Sequence, residues 1–234
     1  MTSADAAVRP ELAPPWLRPL VRALGDSAAG EGDEPEADSA VLIVFTGDPR
    51  ATRVPDDAAV LLTHRHPNMR SHSGQMAFPG GRIDPTDAGP VDAALREAWE
   101  ETGLQRDRVV PLAVLEAANT RGSRRRVRPV VAYAASPGPV WPASEEETDD
   151  VFFTPLAHLL RPVNRLRVRW RGWTGPAFWV GCYLVWGFTG VVLATLLEKA
   201  GWEEPYASEV RELADALEQS CNGEDHAGAA ARGR

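Results

Sequence analysis

Residues 173–197 form a run of 25 positions without a charged side chain. A run that long either crosses a bilayer or is buried in a protein core. Its composition favours the core. Gly181, Gly187 and Gly190 interrupt it, and Thr189 lies between the last two. Residues 178–186 are rich in aromatic and β-branched side chains, as a buried strand is, and 191–197 read as an apolar helix. A strand and a helix split by a glycine turn are expected, with Cys182 as a core residue. No membrane partner is expected.

Around this run the chain alternates element types. Residues 39–46, 58–63, 109–117 and 127–135 read as strands, and 90–102 as a helix ending at Gly103. In 165–170, Arg165, Arg167, Arg169 and the following Arg171 alternate with Leu166, Val168 and Trp170, the pattern of a half-buried strand with an arginine face. Residues 209–218 read as a last helix. Strands on both sides of a central helix predict an α/β (α+β) fold, a sheet with helices packed on it. Hydrophobic residues make up 44% of the 234, enough for one such core. Trp16, Leu17, Leu20, Val21 and Leu24 recur at helical spacing, ahead of an acidic, base-free stretch at 25–38. Residues 1–37 are therefore read as an N-terminal appendage of short helix and flexible linker, 38–219 as the main domain and 220–234 as a disordered tail.

Charge and cysteine usage narrow the partners. With 25 basic and 33 acidic residues the net charge is −8, which argues against a dedicated nucleic-acid binder. Lys199 is the only lysine; the other bases are arginines, whose guanidinium groups grip phosphates bidentately. Two cysteines, Cys182 and Cys221, cannot build a disulfide framework or a multi-cysteine zinc site, so a reducing, cytoplasmic location is expected. The opening residues lack the apolar region of a secretory leader, and the final ones match no retention tripeptide.

The feature that carries chemistry is Arg96-Glu97-Ala98-Trp99-Glu100-Glu101-Thr102-Gly103-Leu104. On a helix Glu97, Glu100 and Glu101 share one face, with Leu95, Ala98 and Trp99 supplying the buried side. Clustered carboxylates repel one another, a cost that a divalent cation removes, and oxygen-only ligands select Mg²⁺ or Mn²⁺. A solvated acidic helix face is the alternative. Upstream, Phe78-Pro79-Gly80-Gly81 offers backbone that a ligand can approach closely. His64, His66 and His72 have zinc-like spacing, but the segment runs from strand into loop and no cysteine joins it.

Gly81, then Asp87, then the Arg-Glu-x-x-Glu-Glu-x-Gly-Leu segment resembles the Nudix box, Gly-x5-Glu-x7-Arg-Glu-U-x-Glu-Glu-x-Gly-U, where U is bulky and aliphatic. Asp87 stands where the general box has Glu, and one extra residue separates it from Arg96. Leu61-Leu62-Thr63-His64-Arg65, Arg70, Gly74 and Phe78-Pro79-Gly80-Gly81 are similar to a narrower motif. That motif, Leu-Leu-Thr-x-Arg-Ser-x3-Arg-x3-Gly-x-Val-x-Phe-Pro-Gly-Gly, belongs to Nudix enzymes similar to coenzyme A pyrophosphatases. His66 replaces its serine and Met76 its valine. The stretched box, with Asp84 and Asp87 after the glycines, resembles the same subfamily, as does Tyr183-Leu184-Val185-Trp186-Gly187 followed by Thr189. The resemblance covers roughly residues 38 to 200.

The resemblance implies a Nudix α/β/α sandwich with a mixed β-sheet and a divalent-metal-dependent attack of water on a diphosphate. It implies Glu100 and Glu101 as principal metal ligands, Glu97 as a further ligand or the general base, and the Gly80 carbonyl as completing the coordination. Arg96 would hold a glutamate by an ion pair. Glu147, in the acidic run 145–150 and five residues before Phe152, is a candidate base; a solvated loop is the alternative. Arg65 and Arg70, with Gly80 and Gly81, are assigned to substrate. Arg121, Arg124, Arg125, Arg126 and Arg128 fit either a phosphate site or an exposed hairpin. The implied reaction is hydrolysis of coenzyme A or acyl-coenzyme A to 3′,5′-ADP and 4′-phosphopantetheine or its acyl form. A nucleoside triphosphate, ADP-ribose or capped RNA end is the rival substrate, and a non-catalytic nucleotide-binding module the rival class. A homodimer is a family-level expectation.

Overall fold

Ser39–Thr46 carries no charge and is buried on both sides, so a strand there must sit between two layers. The computed structural model describes residues 8–25, 37–69, 71–119, 125–203 and 209–224. Its chain order begins with α1 (Arg18–Gly25), β1 (Ser39–Thr46), β2 (Ala59–Arg65), β3 (Met76–Ala77), β4 (Gly80–Arg82) and α2 (Pro90–Thr102). It continues with β5 (Val110–Val114), β6 (Ala118–Asn119), β7 (Arg126–Tyr133), β8 (Thr148–Pro155) and α3 (Leu156–Leu160). The last elements are β9 (Arg165–Trp170), β10 (Trp173–Val180), β11 (Tyr183–Val185), α4 (Gly187–Lys199), β12 (Val210–Glu212) and α5 (Leu213–Glu218).

β1 organises the main sheet, whose path is β3-β2-β1-β7-β5, with β4 paired to β1, β6 to β7 and β8 to β2 off that path. It runs parallel to β7 from Ser39↔Val127 to Phe45↔Tyr133 and antiparallel to β2 and β4. The sheet is therefore mixed. Successive side chains of a strand point to opposite faces. Ile43 and Phe45 accordingly enter one core with α1 and α4, and Leu42 and Val44 enter the other with Ala93, Ala94 and Ala98 of α2. Helices thus cover both faces, the expected α/β/α sandwich with a mixed sheet.

α1 docks as its apolar spacing requires. Trp16, Leu17 and Leu20 are fully buried, and the Trp16 ring meets Phe45 and Tyr133 edge-on and Trp202 at a tilt. The acidic linker falls mostly outside the described residues.

The apolar run folds differently from the expected single strand and helix. Residues 173–185 make a hairpin, β10 and β11 turning at Gly181 and Cys182, and Gly187 then opens α4. Among the described residues no helix is long and apolar enough to cross a membrane. The hairpin belongs to a second sheet, β11-β10-β9-β12, with its own small core of Leu166, Val168, Leu184 and Leu213. Four expectations are corrected here. Cys182 is exposed in the hairpin turn rather than in the core, and it is disulfide-bonded to Cys221. Arg165 is buried beside Glu203 and over the Phe178 ring, so the β9 arginine face is Arg167 and Arg169. Residues 209–218 begin as a strand, because Val210 pairs with Arg167 before α5 starts. Residues 220–224 pack against the domain, with Asn222 fully buried, instead of forming part of a disordered tail.

Candidate active site

α2 presents the carboxylates. Pro90 starts it, where a missing N–H costs nothing. Gly103 ends it in the left-handed region at φ 69°, its N–H donating to the Trp99 carbonyl at 2.9 Å. The small side chains of Ala93, Ala94 and Ala98 let the helix lie close on β1. Trp99 is 49% exposed, which corrects its assignment to the buried side.

The three glutamates occupy different environments. Glu101 is buried, 3% exposed; Gly80 N–H donates to its Oε2 at 3.1 Å and Arg65 Nη1 stands 3.8 Å from its Oε1. Burial pushes this carboxyl up to about 8, against the opposing pull of Arg65 and the Gly80 amide. Glu97 lies against the backbone of Gly81, where a Cβ would stand 2.3 Å from its Oε1. Its carboxyl is also pushed up by burial, with the neighbouring Arg96 pulling the other way. Glu100 is the most open of the three.

Arg96 ties the cluster together. Its Nη1 donates to Glu97 Oε1 at 3.1 Å and to Glu100 Oε2 at 3.0 Å. Its Nε and Nη2 donate to the two Asp87 oxygens at 2.9 Å each, and Nη2 also reaches the Arg82 carbonyl at 3.0 Å. Asp87, the departure from the general box, is thus a bidentate partner of the box arginine. That contact holds its carboxyl below the usual range.

A cleft of about 560 Å³ opens along this helix, lined by Glu97, Trp99, Glu100, Glu101, Trp141 and Glu147 among others. Glu147 is therefore brought to the carboxylates from the segment before β8, and it raises the protonation tendency of Glu97 and Glu101. Among the described residues no three histidine, cysteine or carboxylate groups converge at metal-ligand spacing; Arg96 holds Glu97 and Glu100 instead. The donor set still fits a hard divalent cation. It is all oxygen, it turns into one cleft, and its most buried member lacks full charge compensation.

Other expected residues fall as follows. The contact seen at Gly80 is made by its amide; a Cβ there would stand 2.4 Å from the Ala40 carbonyl oxygen, so glycine is required for the β4–β1 approach. Arg65 ends β2 with its Nη1 beside Glu101, and its buried Nε has no hydrogen-bond partner among the described residues. Arg70, Arg121 and Arg124 lie outside the described residues; Arg126 and Arg128 are in β7. The histidines do not form a zinc site: His64 is buried on Asp149, His66 accepts from the Asn68 amide and His72 meets Gln75.

Trp141 was not anticipated. Its N–H donates to the Thr102 carbonyl at 3.1 Å, and Ala143 N–H donates to Glu101 O at 3.0 Å, so the last turn of α2 holds this segment in place. The indole packs over Gly103, where a Cβ would stand 2.5 Å from the ring. The only local signal was a lone tryptophan in a proline-rich loop, with no periodicity to assign it a buried side.

Comparison with known proteins fits this geometry. The NUDIX domain family model matches residues 37–171. A probable Nudix hydrolase of Schizosaccharomyces pombe is 34% identical over 141 residues, 58% of this chain and 48% of that protein. The chain thus spans about half the length of that relative. NudL of Salmonella paratyphi B, an uncharacterized Nudix hydrolase, is 39% identical over 146 residues, 61% of this chain and 75% of that protein. Among solved structures, the Nudix hydrolase RenU of M. smegmatis aligns with a TM-score of 0.43 at 26% identity, covering 57% of this chain and 79% of that one. With the family model matching more than half its length, and with Nudix hydrolases as its relatives, this chain belongs to the NUDIX domain family.

Proposed function

We propose that the protein hydrolyses the diphosphate bond of coenzyme A or an acyl-coenzyme A, releasing 3′,5′-ADP and 4′-phosphopantetheine or its acyl form. The observation that carries this reading is the meeting of Arg65 and Glu101. Arg65 belongs to the upstream motif and Glu101 to the box, and Arg65 Nη1 stands 3.8 Å from Glu101 Oε1. A half-buried guanidinium beside a carboxylate is a receptor for a phosphate oxygen.

Glu97, Glu100 and Glu101 would hold Mg²⁺ or Mn²⁺, which supplies charge neutralisation for the diphosphate and lowers the pKa of water. The chain's own groups do the rest. Arg96 fixes the Glu97 and Glu100 side chains while its other edge rests on Asp87. Arg65 binds and orients the diphosphate. Glu147 lines the cleft and forms no ion pair among the described residues, so its carboxylate is free to take the proton of the attacking water. The exposed faces of Trp99 and Trp141 offer a stacking surface for the adenine ring.

The test is incubation of the purified protein with coenzyme A and Mg²⁺ or Mn²⁺, with products read by mass spectrometry. Release of 3′,5′-ADP is expected. Cleavage of ADP-ribose or a nucleoside triphosphate but not of coenzyme A would move the proposal to those substrates. Binding without cleavage would make the protein a nucleotide-binding module.

A further inference from the structure

The Cys182–Cys221 bond lies outside the NUDIX match and takes no part in the chemistry above. It joins the exposed β10–β11 turn to the segment after α5, with the two Cα atoms 5.4 Å apart and the two cysteines 39 positions apart in sequence. Cys221 N–H also donates to the Cys182 carbonyl at 2.9 Å. From this anchor, residues 222–224 run over the loop that begins at Arg65.

The contacts of this strap are specific. Asn222 is fully buried; its Nδ2 donates to Leu184 O at 3.0 Å and its Oδ1 accepts from Leu184 N–H at 2.8 Å, as a strand partner would. Its main-chain carbonyl accepts from His64 Nε2 at 3.0 Å, and the same nitrogen faces the Gly74 carbonyl at 3.0 Å. The opposite ring nitrogen of His64 pairs with Asp149 at 2.5 Å. Glu224 accepts from Trp186 Nε1 at 2.8 Å and from Gln75 Nε2 at 3.3 Å. A Cβ on Gly74 would stand 2.2 Å from the Asn222 carbonyl oxygen, so strap and loop backbones lie in direct contact. The loop's far side closes on Arg65: Gly74 N–H donates to Arg65 O and Arg65 N–H to Gln75 O, each at 3.0 Å.

We infer that residues 221–224 are a positioning strap that sets the Arg65 end of the active-site loop, and that the Cys182–Cys221 bond is its redox-sensitive catch. With the bond formed, Asn222 and Glu224 are presented to His64, Gly74 and Gln75 without a search. With it broken, only individually weak polar contacts hold the strap. Both cysteines are exposed, so a dithiol reaches them. One dithiol thiolate attacks a cysteine sulfur and expels the other cysteine as thiolate. The second dithiol sulfur then displaces the first cysteine. Two electrons and two protons pass to the cysteine pair, and the dithiol is oxidised to its cyclic disulfide. The inference does not depend on which diphosphate the protein cleaves.

The test uses the full chain, oxidised by glutathione disulfide or reduced by dithiothreitol, with thiols counted by maleimide mass shift. Hydrogen exchange of peptides covering 71–76 and 220–224 is read in both states, together with kcat and KM for coenzyme A. Reduction is expected to speed exchange in both peptides by about tenfold or more. It should raise KM about three- to tenfold while kcat changes less than about twofold. Cys182→Ser, a change in an exposed turn, should match the reduced state and ignore reoxidation, and oxidised Asn222→Ala should match it as well. Equal exchange in the two redox states, or two free thiols in the oxidised protein, would overturn the strap. If coenzyme A is not cleaved at all, the proposed substrate fails and the exchange data still decide the strap.

Discussion

Arg96 lays one full edge of its guanidinium on Asp87, Nε to Oδ1 and Nη2 to Oδ2, both at 2.9 Å. The remaining Nη1 bonds carry that orientation to Glu97 and Glu100. Removing Asp87 takes away the bidentate bond that fixes the plane of the Arg96 guanidinium and leaves it only the bonds to Glu97, Glu100 and the Arg82 carbonyl, so Asp87→Ala should lower kcat by about tenfold with a small change in KM. Asp87→Glu should keep more activity than Asp87→Ala. The Asp87 carboxyl is held below its ordinary value, so its contribution to stability is full above that value and is lost as pH falls through the depressed one. Steady-state kinetics and acid unfolding of both variants check these outcomes.

Glu101 gives a pH prediction of the opposite sign. In the metal-free protein burial raises its carboxyl to about 8, from an ordinary 4.5. Between those values the folded state holds a proton that the unfolded state has released, so stability falls as pH rises, by at most about 1.4 kcal/mol per unit. A bound cation neutralises the carboxylate and removes the penalty. The gain in Tm on adding Mg²⁺ should therefore be larger at pH 8 than at pH 6. Glu101→Gln should abolish turnover and flatten both dependences. A Mg²⁺ gain that is equal at the two pH values would count against Glu101 as a ligand.

Gly81→Ala tests the close approach of backbone and carboxylate. The added methyl would stand between 2.3 and 2.6 Å from the atoms of the Glu97 carboxyl group, which must swing away. A displacement of about 1 Å at a catalytic group costs on the order of 10²-fold in rate. We expect kcat to fall by about that factor while the circular dichroism spectrum stays that of the wild type.

Trp141 and Trp99 should act on binding. Loss of one stacking face costs about 1–3 kcal/mol. Trp141→Ala and Trp99→Ala should raise KM for coenzyme A and leave kcat nearly unchanged. Neither should affect a diphosphate that lacks a base. An effect on kcat alone would assign these rings to helix packing.

The elements that the sequence specified most clearly are those with one dominant local pattern. Residues 39–46, 90–102 and 165–170 match β1, α2 and β9 at both ends because apolar runs, Pro90 with Gly103, and strict alternation each leave one solution. β8 was not recognised: Thr148-Asp149-Asp150 reads as an acidic loop, and only pairing with β2 makes it a strand. β12 was likewise read as helix, since Val210–Glu212 acquires its conformation from the parallel contact with β9. Such non-local pairings override weak local preference.

The site divides in the same way. Glu97, Glu100, Glu101 and Arg96 were legible because they sit within one helix, where spacing fixes geometry. Glu147 came from the family resemblance, and the structure places it in the cleft. Trp141 and Asn222 were not legible. The first is positioned by hydrogen bonds to the end of α2 from a loop without periodicity. The second sits in a polar, small-residue segment whose burial depends on partners 38 and 158 residues away.

The Trp16 ring, seated among Phe45, Tyr133 and Trp202, has a bearing on how this chain can be cut. The NUDIX match covers 37–171, yet α1 precedes it and α4 follows it, and together they roof one face of the main sheet. A fragment trimmed to the matched residues would present Phe45, Val131 and Tyr133 bare to water and invite aggregation. The unit of folding is larger than the matched span, and expression boundaries should be drawn around the first.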